Sequence, residues 1–265
     1  PNLIVPDEDY HREISQALAH HLKELLHLEK EKSILVVGLG NREITPDALG
    51  PQVIQNLKIT RHIIKEYGKA GMGKRKAHQI SSLVPGVMAQ TGMETMEIIR
   101  GVIRETDPDA VIAIDALAAR SVRRLNCTIQ ITDTGINPGS GVCNHRCGLN
   151  EETLGIPVIG IGVPTVVDGA TIVHDAIAHL LENLEEAEME EFLQELITPR
   201  LHRMFVTPKD VDETVKRLSY TISEGINGGI RSRGIHIIQV CTPGKSEVKV
   251  RTHFRTGREG TPVLP

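Results

Sequence analysis

Two aspartates stand where an α/β chain places its chemistry. Asp115 directly follows the apolar run Val111 to Ile114, inside Ala113-Ile-Asp-Ala-Leu-Ala-Ala-Arg120. A carboxylate at the carboxyl end of a buried strand is costly to bury unless it is paired, so Asp115 is expected to face a cleft. Asp47 lies in Gly38-Leu-Gly-Asn-Arg-Glu-Ile-Thr-Pro-Asp-Ala-Leu-Gly-Pro51, after the run Ser33-Ile-Leu-Val-Val-Gly38. Thr45-Pro46-Asp47 reads as a helix start, with Thr45 as N-cap and proline just inside the first turn. On that reading Asp47 complements the helix dipole. The other reading is chemical. If the two strands are neighbours, the loop carrying Asp47 lies above the tip carrying Asp115, and two carboxylates share one crevice. Such a pair resists double ionisation and tends to hold one proton between its members. One member then serves as base on a water while the other polarises a peptide carbonyl, and the two titrate as a unit.

Three further signals are weaker. Gly38 and Gly40 invite a dinucleotide reading, but G-x-G-x-x-G lacks its third glycine because position 43 is Glu43. Asp133-Thr-Gly135 has the lettering of a pepsin-like loop, yet it occurs once and in a βαβ pattern, so the lettering is read as coincidence. Cys143-Asn-His-Arg-Cys147 groups soft ligands without the second, separated pair that a structural zinc site needs, and reads as a glycine-rich loop. Ser140 lacks the strand-turn-helix setting of a nucleophile elbow. Gly38, Asn41, Thr45, Asp133 and Asp168, near the ends of predicted strands, are additional candidates to line the cleft. No metal and no cofactor is expected.

The elements that must position these residues follow from periodicity. Ile14, Ala17, Leu18, Leu22, Leu25 and Leu26 recur at helical spacing and predict a helix over 10–28. Ser33 to Gly38 is continuously apolar and ends in glycine, as a central parallel strand does. Further strands are predicted at 110–114, 128–132 and 157–163, and helices at 92–105, 117–124, 170–186, 190–196 and 209–224. Strands alternating with helices predict an α/β fold, a mostly parallel sheet with helices on both faces. A single domain is expected over 1–227, with a sheet core at 33–185, a glycine- and lysine-rich loop at 68–76 and a peripheral tail at 228–265.

Composition agrees with this class and excludes others. The 265 residues are 40% hydrophobic and 24% charged, enough to bury a sizeable core. Aromatics make up only 2%, so stacking platforms for single-stranded nucleic acid are not expected. A net charge of −4 argues against phosphate-backbone binding. Four cysteines in a chain of this length, with no apolar leader at Pro1, lead to the expectation of a reducing, cytoplasmic setting. No apolar run has the length of a membrane span, and a soluble chain is expected.

Several long motifs, in order, carry a resemblance. Val36-Val-Gly-Leu-Gly-Asn41, Thr45-Pro-Asp-Ala-Leu-Gly-Pro51, Thr60-Arg-His62, Pro85-Gly-Val-Met88, Ile114-Asp-Ala-Leu-Ala-Ala-Arg-Ser121 and Ile156-Pro-Val-Ile-Gly-Ile-Gly-Val-Pro-Thr-Val-Val-Asp168 resemble the germination proteases of spore-forming Firmicutes. The likeness resumes at Val206-Thr-Pro-Lys-Asp-Val-Asp212. It implies an endopeptidase that degrades small acid-soluble spore proteins in the spore core during germination, made as a zymogen and assembled as a homotetramer. It further implies an atypical aspartic protease whose two acids fall at Asp47 and Asp115. The pattern of Gly-x-Gly-Asn, an acid, and a strand ending in Asp-Ala is also similar to hydrogenase-maturation endopeptidases, where the acids can hold a metal. A metal-assisted endopeptidase, or an inactive binding domain on the same fold, is therefore the alternative.

Overall fold

The computed structural model describes residues 8–68, 78–139, 147–178 and 200–230. Its centre is a six-stranded sheet. Strand β1 (Ser33–Gly38) pairs in parallel with β2 (Gln79–Leu83) on one side and β3 (Ala110–Ala119) on the other. Beyond β3 lies β5 (Val158–Asp168), again parallel, and the short β4 (Gln130–Thr132) closes that edge antiparallel to β5. A two-residue strand β6 (Phe205–Val206) pairs antiparallel with the end of β5. The path is β2-β1-β3-β5-β4, so the chain steps to one side of β1 for β2 and to the other side for β3. That reversal opens a crevice above the carboxyl ends of β1 and β3.

Alternation along the strands divides the core into two layers, as a sheet covered on both faces requires. Ile34, Val36, Ile112, Ile114, Ile159 and Ile161 pack with Leu18, Leu22 and Leu26 of helix α1 (Glu8–Leu26) and with Leu218, Ile222 and Ile226 of the last described helix. Leu35, Val37, Val111, Ala113 and Val158 pack on the opposite side with Met96 and Ile99. Helix α2 (Leu49–Gln55) contacts the last helix as well as β1 and β3, and is followed by α3 (Arg61–Tyr67). Met96 and Ile99 belong to α5 (Thr95–Thr106), which follows the short α4 (Met88–Thr91). Then come α6 (Glu151–Leu154), α7 (Gly169–Ala178) and the last helix, α8 (Val211–Ile230).

Several expectations need correction. The helix predicted at 117–124 is absent: β3 continues through Ala119, and only Val122–Arg124 forms a 3-10 turn, capped by the Ser121 hydroxyl. Leu and Ala favour helix, but pairing of Leu117–Ala119 with the long β5 overrides that local preference. β5 likewise runs five residues past its predicted end at position 163, to Asp168. Thr45 is not an N-cap; it opens a 3-10 turn, Thr45–Asp47, with no side-chain cap bond, and α2 starts separately at Leu49. Helix α8 begins at Val211 and runs to Ile230, into the stretch predicted as tail. The loop at 69–76, the helix at 190–196, residues 179–186 of another predicted helix and the tail from 231 lie outside the described residues. Among the described residues, no helix is long and apolar enough to cross a membrane.

Cys127 and Cys147 are outside any disulfide, the first partly buried and the second exposed. Burial raises the Cys127 pKa above the ordinary thiol value, which lowers its thiolate fraction near neutral pH. Cys147 is exposed. Native iodoacetamide labelling at pH 8, followed by peptide mapping, is therefore expected to modify Cys147 roughly tenfold faster than Cys127. Equal rates would contradict this arrangement.

Candidate active site

The final bond between β1 and β3 runs from the Leu39 N–H to the Ile114 carbonyl, at 2.8 Å. Asp115 is therefore the first residue of β3 beyond its last β1 partner, where the crevice begins. It remains paired to β5 through Gly162. The residue is 5% exposed, and one carboxylate oxygen accepts from the Ala116 N–H at 3.0 Å.

The loop after β1 brings Asp47 to the same crevice. Ile44, Pro46 and Asp47 form one wall of a cavity of about 360 Å³, whose other walls include Asp115, Ala116, Leu117, Ala118, Thr165 and Phe205. Asp47 is held within its own loop: the Asn41 N–H donates to Asp47 Oδ2 at 2.6 Å. Gly40 makes this closure possible. Its φ of +107° is poorly tolerated by residues with a side chain, and a Cβ there would collide with the Asp47 carbonyl. The dipole-complementing role anticipated for Asp47 thus takes the form of a braced turn, beside its place on the cavity wall.

The other sequence candidates have different positions. Gly38 ends β1 and packs against the backbone of Gly50 in α2. Asn41 acts on Asp47 through its backbone and accepts from the Glu43 N–H at 3.0 Å through its side chain. Thr45 opens the turn but is not on the cavity wall. Asp133 is exposed in the bend after β4 and is not on the cavity wall. Asp168 directs both carboxylate oxygens at Thr171, receiving its N–H at 2.8 Å and its hydroxyl at 2.7 Å, at the start of α7. That placement stabilises a helix start, as N-terminal carboxylates do.

One participant escapes a reading of the sequence: Thr165, fully buried in β5, whose hydroxyl donates to the Pro46 carbonyl at 2.6 Å. Its only signal in the sequence is a polar residue within Val163-Pro-Thr-Val-Val167. Much of the cavity wall is apolar, and Ile44 and Phe205 are 51% and 40% exposed. A peptide side chain would find an apolar surface there. Among the described residues, no three His, Cys, Asp or Glu side chains converge to hold a metal ion.

Two carboxylates lining one switch-point cavity suit hydrolysis, and comparison with known proteins supplies the class. The sequence pattern of the germination protease family matches residues 4–184. The chain is 44% identical to the germination protease of Caldanaerobacter subterraneus subsp. tengcongensis over 244 residues, covering 86% of this chain and 75% of that protein. It is 46% identical to the germination protease of Clostridium tetani over 246 residues, and 38% identical to that of Bacillus subtilis over 278, each with 86% and 75% coverage. Among solved structures, it is similar to the [NiFe] hydrogenase maturation protease HycI of Thermococcus kodakarensis, with 18% identity, a TM-score of 0.35, and 77% and 98% of the two chains covered. The protein is a peptidase of α/β architecture. It belongs to the germination protease family.

Proposed function

We propose that this protein is an endopeptidase of spore germination that hydrolyses small acid-soluble spore proteins, with Asp47 and Asp115 as its acid-base pair. The observation that carries this reading is the shared cavity: both side chains line it at the crevice between β1 and β3. In the reaction one carboxylate takes a proton from a water as its oxygen attacks the peptide carbon. The other, protonated, donates to the carbonyl oxygen, and the tetrahedral adduct collapses as the amine leaves with a proton. Asp115, at the root of the crevice, and Asp47, on its wall, suit a peptide chain passing between them.

The family resemblance extends the reading to a cytoplasmic site of action in the spore core and to a homotetramer whose substrate is protein rather than nucleic acid. The test is cleavage of a purified small acid-soluble spore protein by this protein, followed by gel electrophoresis and mass spectrometry, with and without exhaustive EDTA dialysis. The expected result is cleavage at defined peptide bonds at the same rate in both samples. Loss of cleavage in EDTA, restored by one divalent ion, would replace the acid pair with a metal-assisted mechanism on the same residues. No cleavage in either sample would leave a binding domain on this fold.

A further inference from the structure

Thr165 is 0% exposed, and a buried hydroxyl is expected to direct its proton at a partner. That partner is the carbonyl of Pro46, the residue before Asp47, at 2.6 Å. The contact is long-range in the sheet. Pro46 belongs to the loop from β1, whereas Thr165 belongs to β5, and β3 with Asp115 stands between those strands. Thr165 in turn accepts, through its own carbonyl, the hydroxyl of Thr207 at 2.9 Å. Thr207 follows β6 and lies in Val206-Thr-Pro-Lys-Asp-Val-Asp212, a motif the catalytic reading leaves without a part.

The two bonds form a chain from the junction of β6 and α8, through β5, to the turn carrying Asp47. The Thr165 bond acts on that turn's backbone and the Thr207 bond on the backbone of Thr165, while the Asn41 N–H fixes the Asp47 carboxylate. The Thr165 bond ties the Asp47 turn to β5, and β5 pairs in register with β3, so the bond sets how the turn stands relative to the strand bearing Asp115. We propose that Thr165 is a positioning residue for the acid pair, and that Thr207 anchors it and thereby couples the β6–α8 junction to the site. The inference rests on the assignment of Asp47 as a catalytic residue and goes beyond it by naming what holds that residue in register.

The experiment measures kcat and KM for cleavage of a small acid-soluble spore protein by wild type, Thr165→Val, Thr165→Ser, Thr207→Val and Asp47→Asn, with a thermal melt of each. Val keeps the shape of Thr and removes its donor; Ser keeps the donor. A displacement of about 1 Å is enough to cost about 10²-fold, so Thr165→Val is expected to lower kcat by roughly 10–100-fold. KM should change by less than about twofold, and Thr165→Ser should return kcat to within about threefold of wild type. A wild-type kcat in Thr165→Val, beside an inactive Asp47→Asn, overturns the positioning role and leaves the acid pair standing. An active Asp47→Asn instead removes the acid pair, and the positioning role with it. If Thr165→Val does not fold, Thr207→Val decides: it leaves the donor in place, and a wild-type kcat there overturns the coupling.

Discussion

Asp115→Asn and Asp47→Asn are each expected to lower kcat for peptide cleavage by roughly 10²–10⁴-fold while the protein keeps its fold. Each carboxylate has a structural duty besides its proposed chemistry. Asp47 Oδ2 accepts the Asn41 N–H at 2.6 Å, and Asp115 Oδ1 accepts the Ala116 N–H at 3.0 Å. An Asn side chain retains one carbonyl oxygen of similar placement, so both of these bonds survive the substitution. What an amide cannot do is take a proton from water or hold one for the carbonyl oxygen. The substitution therefore separates the bracing role of Asp47 from its proposed chemistry, which Asp47→Ala would not. Circular dichroism and melting temperature are expected to match wild type within about 2 °C, the scale of changes near 1 kcal/mol in a domain this size. Single-turnover rates with excess enzyme would then isolate the chemical step from product release. An Asn variant with wild-type turnover would remove that acid from the mechanism.

How much of this is legible in the sequence depends on what each residue competes with. Ser33 to Gly38 can be read with its correct bounds because a continuous run of β-branched and leucine residues ending in glycine has no good helical alternative. β2 escapes such a reading, since Gln79-Ile-Ser-Ser-Leu83 is half polar and its only buried residue is Ile80. It sits at the sheet's edge, and its pairing with β1 is a tertiary fact. The extension of β3 is hidden by helix-favouring Ala and Leu. Asp115 is legible because a charge directly after a buried run is costly, a cost visible in one dimension. Asp168 satisfies the same rule and braces a helix, so the rule finds acids at strand ends without separating caps from catalysts. Thr165 is illegible for the opposite reason: threonine in a strand is ordinary, and only the fold shows that its hydroxyl meets Pro46.

The substitution Gly50→Ala is expected to cost about 3 kcal/mol or more, because it adds a methyl group where the backbone of Leu39 and Ile114 already stands. A Cβ on Gly50 would lie 2.6 Å from the Leu39 nitrogen and 2.7 Å from the Ile114 oxygen, the two groups that make the last bond between β1 and β3. The reverse contact is as tight: a Cβ on Gly38 would lie 2.6 Å from the carbonyl carbon of Gly50. Helix α2 thus docks on the strand ends through facing glycines, and neither partner is a side chain that can rotate away. Relief must come from moving α2, which begins two residues after Asp47. Stability and kcat should therefore fall together, with a melting temperature lower by roughly 10 °C. Gly101→Ala supplies the contrast. Gly101 is exposed within α5 and a Cβ there meets nothing within 4 Å, so the same added methyl should raise stability by about 0.5–1 kcal/mol through helix propensity. Differential scanning calorimetry of both variants reads the two signs directly. If Gly50→Ala melted like wild type, α2 would have room at the strand ends that this packing denies it.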